Sequence, residues 1–237
     1  MRLIMSGLMV VLCVTVLSIT TARAASLEDG ANALESGEYE TAFNILLPIA
    51  ERGDVLAQGM IAMLYDEGLG ITLDDAKAVQ WYLRAAQQGD EDAQYSLAIM
   101  YDQGEGTEEN NGEAIRWYRA ASDQGNMEAQ HNLAMMYDEG EGVAEDNIAA
   151  VRWYKRAAEQ GSTKAQHNLA IMFATGEGVS TNIVKAYKWM ALSAALSETA
   201  PEQEESLAAL DIIANDMSKA EIDEGHNLAM AWNAIKE

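Results

Sequence analysis

A step of 36 residues runs through this chain without a slip. Ala57-Gln58, Ala93-Gln94, Ala129-Gln130 and Ala165-Gln166 stand one step apart. So do Trp81, Trp117, Trp153 and Trp189, and so do Tyr65, Tyr101, Tyr137 and Phe173. The glycine pairs Gly68/Gly70, Gly104/Gly106, Gly140/Gly142 and Gly176/Gly178 keep the same register. Self-similarity at this spacing means stacked supersecondary units, each buried against its neighbours, rather than a globule around one central core.

The unit from Asn126 to Gly161 shows what stacks. Asn126 follows a glycine and can accept from an open backbone N–H, which predicts a helix N-cap; Asp54, Asp90 and Ser162 hold the equivalent place. Ala129, Leu133, Met136 and Tyr137 then fall on one helical face. Gly140 and Gly142 end that helix, since glycine reaches positive φ without a Cβ clash. A second helix begins near Asp146, carries Ala150, Trp153, Tyr154 and Ala157, and stops at Gly161. Two such helices cannot bury both apolar stripes alone, so the next pair must cover them. The fold class is all-α, an α-solenoid of antiparallel helix pairs. Small residues at Ala62, Ala98, Ala134 and Ala170 let helix axes approach, and the tryptophans read as wedges beside them.

The pattern A-Q-x-x-L-[AG]-x-x-Y-x-x-G-x-G-V-x-x-[DN]-x-x-x-A-x-x-W-Y-x-[KR]-A-A-x-x-G resembles the Sel1-like repeat, a relative of the tetratricopeptide repeat. Ala129–Gly161 meets it best, Ala93–Gly125 and Ala57–Gly89 nearly as well, and Ala165–Leu192 in part. The resemblance implies a right-handed superhelix and an exported bacterial member of the family. It divides the chain into an N-terminal degenerate repeat or cap at 25–56, repeats at 57–92, 93–128, 129–164 and 165–196, and a C-terminal capping helical hairpin at 197–237. Pro201 opens that last segment, and Ser218 with Glu221 predicts a capping box for the final helix.

Residues 1–24 are set aside as a cleaved signal peptide. Arg2 precedes the apolar stretch Leu8–Leu17, and Ala22-Arg23-Ala24 offers a small-x-small cleavage site. The stretch is short for a membrane span, which needs about 20 residues. Cys13 follows Leu12 inside the apolar core, where a lipidated cysteine does not sit. The expectation is a periplasmic or secreted protein with no direct membrane insertion after cleavage.

Removing the leader leaves 38 acidic residues against 13 basic ones, fifteen less Arg2 and Arg23, and no cysteine. Such acidity argues against nucleic acid, which demands a basic footprint. It is read in two ways: as a solvated exterior that keeps a monomer soluble, or as complementarity to a basic partner, such as a periplasmic domain of a membrane protein. Some secreted Sel1-like proteins that act on β-lactams carry a cysteine pair in each repeat. This chain has none, so that activity is not carried over.

No P-loop, nucleophile elbow or H-E-x-x-H is present, and no cofactor is expected. The chain is read as no enzyme. The acidic turns lack the alternating acids and distant glutamate of a calcium loop. One set of columns stands out on the first helices. Tyr95, His131 and His167 form one column, Met63, Ile99, Met135 and Ile171 a second, and Asp66, Asp102 and Asp138 a third. They predict a concave groove with aromatic and imidazole groups at one edge, an aliphatic-thioether floor and carboxylates at the other edge. Methionine floors and aromatics suit adaptable protein binding; burial between neighbouring repeats is the plainer reading. The expected function is an envelope protein–protein adaptor or regulator binding a partner on that face. A β-lactam or cell-wall hydrolase and a periplasmic metal-binding protein stand as alternatives. Histidines in the groove make binding between about pH 5 and 8 a candidate for pH control.

Overall fold

The computed structural model describes residues 26–236, with side chains to Trp232, so the expected leader lies outside the described residues. Twelve helices and no strand are found there. They are α1 (Leu27–Glu35), α2 (Tyr39–Glu51), α3 (Val55–Glu67), α4 (Asp75–Gln87), α5 (Glu91–Gln103) and α6 (Asn111–Gln124). Then follow α7 (Met127–Glu139), α8 (Asn147–Gln160), α9 (Thr163–Thr175), α10 (Ile183–Leu196), α11 (Ala200–Asn215) and α12 (Lys219–Lys236). Each helix from α1 to α10 packs on its chain neighbours, which makes the molecule an all-α solenoid. Four pairs, α3/α4 to α9/α10, carry the repeat.

The caps fall where the residue types demand. The side chains of Asp54, Asp90, Asn126 and Ser162 accept from the N–H three residues on, opening α3, α5, α7 and α9. Asp74, Asn110, Asp146 and Asn182 open the second helices in the same way. Ser26 with Asp29 and Ser218 with Glu221 form reciprocal boxes at α1 and α12. The four repeat tryptophans Trp81, Trp117, Trp153 and Trp189 are buried, and Arg84, Arg116, Arg156 and Lys188 cover their outer faces at 4.3, 4.6, 4.5 and 3.9 Å.

Two devices fix one repeat against the next. The first is a glutamine relay. Gln58, Gln94, Gln130 and Gln166 are buried, and each Nε2 donates to a last-turn carbonyl of the preceding helix: Ala50, Ala86, Ser122 and Ala158, at 3.1–3.2 Å. Helix ends leave such carbonyls without intrahelical partners. Each of the first three then accepts at 2.8 Å from a glutamine at the end of its own second helix: Gln88, Gln124 and Gln160. Leu196 holds the fourth such place, so Gln166 Oε1 is buried without a partner.

The second device is the later glycine of each loop pair. Gly70, Gly106, Gly142 and Gly178 press on the start of the preceding repeat's second helix, at Tyr39, Asp75, Asn111 and Asn147. Their role is therefore close packing as well as the turn between helices.

The last two helices depart from the expected hairpin. Both lie against α10 rather than against each other. Gly225 of α12 sits on Tyr187, and Trp232 meets Trp189 edge-on at 6.3 Å. Meanwhile α11 closes over the other side of α10 and reaches α9 through Ser206. Among the described residues no helix is long and apolar enough to cross a membrane.

Substituting Gly142→Ala and Gly37→Ala separates the two demands on glycine. Both have positive φ, 64° and 73°, so each carries left-handed strain of about 1 kcal/mol for a residue with a Cβ. At Gly37 nothing lies within 4 Å of the added methyl, whereas at Gly142 it overlaps Asn111 Cβ and meets that residue's carbonyl carbon at 3.0 Å. The urea midpoint is expected to fall clearly further for Gly142→Ala. Equal midpoints would remove the inter-repeat role assigned to the second glycine.

Candidate functional site

The expected columns sit on the first helices, and the structure sorts them into three situations. Met63, Ile99 and Met135 are half-buried against the core, while Ile171 is 41 % exposed. The floor column is thus neither wholly core nor a free apolar strip. Tyr95 and His167 are half-buried, but His131 is only 9 % exposed and stacks obliquely on Tyr154 at 5.8 Å.

The aspartates point inward to the second helix of their own pair. Tyr82 donates its hydroxyl to Asp66 at 3.4 Å, Tyr118 to Asp102 at 3.2 Å and Tyr154 to Asp138 at 3.4 Å. Each phenol also meets a polar side chain of the next repeat: Ser96, Asn132 and Asn168. The fourth repeat has lost both partners together, with Ala174 for the acid and Met190 for the phenol. Burial holds the Asp66 and Asp138 carboxyls above the usual range, against the opposing hydrogen bond from each tyrosine. Burial first, and the facing carboxylate second, push the Tyr82, Tyr118 and Tyr154 hydroxyls well above an ordinary phenol.

Three cavities open on the first-helix face. One of about 410 Å³ lies between α3 and α5 and gathers Gly59, Met63, Asp66 and Tyr82. The other two are contiguous, sharing His131, Thr163, Lys164 and Glu202. One, of about 400 Å³, runs from Tyr95 to Thr199. The other, of about 280 Å³, contains His131, Met135, His167 and Asn168 under Glu202, Glu205 and Ser206 of α11. Tyr95, His131, Met135 and His167 are thereby brought to one groove, whereas Ile99, Ile171, Asp102 and Asp138 line none of the three cavities. The acids at the groove's edge are Glu128, Glu198, Glu202 and Glu205 instead of the predicted aspartates.

Repeat periodicity gave no sign of the α11 wall, because Ser206 and its glutamates stand outside the repeats. The usable signal was the decay of the fourth unit, where Ala174, Met190 and Leu196 break three columns at once. Among the described residues no three His, Cys, Asp or Glu side chains are grouped to hold a metal ion. The site offers hydrogen-bonding groups and half-buried apolar surface.

Comparisons with known proteins agree with this architecture. The Sel1 repeat profile matches residues 55–90, 91–126, 128–162 and 163–198. The crystal structure of a Sel1 repeat protein from Oxalobacter formigenes aligns with a TM-score of 0.74 at 28 % identity, over 88 % of this chain and 85 % of that one. The structure of c5321, a protective antigen present in uropathogenic Escherichia coli strains and displaying an SLR fold, aligns with a TM-score of 0.53 at 24 % identity. It covers 88 % of this chain and 56 % of that one. No curated protein matches the sequence.

The tyrosine clasps predict alkaline lability. In the unfolded chain the phenols ionise near pH 10. With the folded values raised, the unfolded state sheds protons first, so the stability is present below about pH 10 and lost as pH rises beyond it. Urea midpoints measured from pH 8 to 11 are expected to fall above pH 10, and to fall less in Tyr82→Phe/Tyr118→Phe/Tyr154→Phe. An unchanged pH slope in that variant would contradict the assignment.

Proposed function

Because the chain belongs to the Sel1 repeat family, whose members are in general non-catalytic scaffolds for protein–protein interaction, we propose that it is an exported adaptor or regulator that binds a protein partner on its first-helix face. The observation that carries this reading is the continuous groove from Tyr95 to Ser206, with a half-buried Met135 floor and acids along its edge. A floor of this kind holds apolar anchors, and a charged rim sets orientation and partner choice. The expected partner presents a basic surface, since the rim carries Glu128, Glu198, Glu202 and Glu205 against Lys164. A basic periplasmic domain of a membrane protein fits that description. The chain works in the periplasm after loss of residues 1–24, and mass spectrometry of the protein from the envelope fraction tests that cleavage directly.

Binding is tested by crosslinking in the envelope fraction with Ile171→Asp and Ile148→Asp, both at exposed isoleucines, the first on α9 and the second on α8. Loss of the crosslinked partner with Ile171→Asp, at unchanged helicity and melting, is expected. Retention with Ile171→Asp and loss with Ile148→Asp would move the interface to the second-helix face.

A further inference from the structure

The smaller cavity, between α7, α9, α10 and α11, holds two histidines whose tautomers the hydrogen bonds dictate. Tyr118 spends its only proton on Asp102 at 3.2 Å, so it can only accept from Asn132 Nδ2, also at 3.2 Å. That turns Asn132 Oδ1 toward His131 Nδ1 at 3.2 Å, and the ring must donate there. On the other side Ser193 Oγ donates to the Thr163 carbonyl at 2.9 Å. The bond of 2.9 Å between Ser193 and Ser206 therefore uses the Ser206 proton, and Ser206 Oγ accepts from His167 Nδ1 at 3.3 Å.

Both chains end on groups that only accept, the Asp102 carboxylate and the Thr163 carbonyl. Both imidazoles consequently carry hydrogen on Nδ1 and a lone pair on Nε2 in the neutral state. Neither Nε2 has a partner among the described residues, and both rings line the cavity. His131 is 9 % exposed, and burial keeps its imidazole below the ordinary histidine range, which holds it neutral at pH 7. Each Nε2 is thus an acceptor open to the cavity, available to a ligand's donor.

The rest of the wall is rich in acceptors too. Glu202 and Glu205 project from α11, and Met135 supplies a thioether surface for an aliphatic stem. Lys164, which is exposed, is the one cation of the lining. Pockets for drug-sized ligands run from about 300 to 1,000 Å³. This one, at about 280 Å³, suits a single long side chain.

The geometry points to this cavity as the receptor for one arginine or lysine side chain of the partner protein, with the His131 and His167 Nε2 atoms and the Glu202 and Glu205 carboxylates accepting its N–H groups. This rests on the scaffold reading above and names the chemistry at one end of the groove. A guanidinium has five donors and no acceptor, the complement of a wall whose free groups accept. Among the described residues no lysine or arginine other than Lys164 lines the site.

The test uses the full-length protein, ring-nitrogen NMR of its histidines, and three capped tripeptides: Ac-Ala-Arg-Ala-NH2, its neutral citrulline isostere and its glutamate counterpart. At a pH where the imidazoles are neutral, the free protein is expected to show protonated Nδ1 and unprotonated Nε2 at His131 and His167. The arginine peptide is expected to shift both Nε2 signals, with the citrulline peptide binding about ten-fold more weakly, a difference of about 1.4 kcal/mol. Glu202→Gln/Glu205→Gln is expected to lose the shift while keeping both tautomers, and Lys164→Gln to tighten binding.

Equal binding of arginine and citrulline peptides, preference for the glutamate peptide, or an Nε2-protonated tautomer in the free protein would each overturn the inference. So would binding of spermidine without binding of the arginine peptide, since the ligand would then be a free amine. Absent arginine binding together with partner loss in Ile171→Asp sinks the pocket assignment alone and leaves the scaffold reading standing. Arginine binding with a partner indifferent to both the pocket and Ile171 variants sinks the scaffold reading at this face.

Discussion

A buried primary amide has to satisfy an N–H donor end and a carbonyl end at once, and in this chain that requirement sets the spacing of the solenoid. Gln94 is 6 % exposed. It reaches back 3.1 Å to the Ala86 carbonyl and is itself reached by Gln124 at 2.8 Å. Sliding a repeat by one residue would break both bonds and leave polar groups in a dry interface, which costs more than the bonds themselves contribute. Alanines at zero exposure on either side, such as Ala57, Ala85 and Ala98, permit the approach but do not specify its register. Apolar packing supplies most of the cohesion, and the amide relay selects one arrangement of it.

The same logic explains why α11 walls the groove at its C-terminal end. Three polar links stitch the first three repeats: glutamine to glutamine, tyrosine to aspartate, and tyrosine to the next repeat's amide or hydroxyl. In the fourth, Leu196, Met190 and Ala174 remove all three together, leaving Gln166 Oε1 unmet and ending the phenol ladder at Tyr154. With no fifth repeat to continue the pattern, α11 packs on α10 and turns its Ser206 toward His167. The cavity between α7, α9 and α11 is the space left where periodic packing stops.

Periodicity in the sequence carried the helix pairs, their caps and the buried aromatics, because each of these is a local demand repeated four times. Asn126 must cap and Gly140 must adopt positive φ whatever lies across the interface. Pairings across helices were less legible. The aspartate column at Asp66, Asp102 and Asp138 shares a face with Met63, Ile99 and Met135, so helical spacing alone placed it on the groove's rim. Only the position of the second helix shows that a phenol sixteen residues on claims each carboxylate. The final helices escaped for a different reason: their apolar residues are consistent with a hairpin, but nothing in a single segment says that α12 prefers the Tyr187–Trp189 surface of α10 to α11.

Charge follows the same division of labour between helices. Nine basic residues lie on α4, α6, α8 and α10, where arginine planes and Lys188 cover tryptophans and where Lys77, Arg116 and Lys155 pair with acids three or four residues away. The first helices α3, α5 and α7 carry acids and no base, and α9 adds only Lys164. The cations are thus spent locally on one face, and the acids of the other face are left to act in concert. Exposed local pairs contribute little to stability. Their consequence is directional: they neutralise the second-helix surface and leave the grooved surface with an uncompensated negative potential. A partner approaching through solution is steered toward that surface before any side chain is seated. Because such steering weakens as salt screens it, the encounter belongs to the surface charge, while the final fit belongs to the half-buried acceptors beneath it.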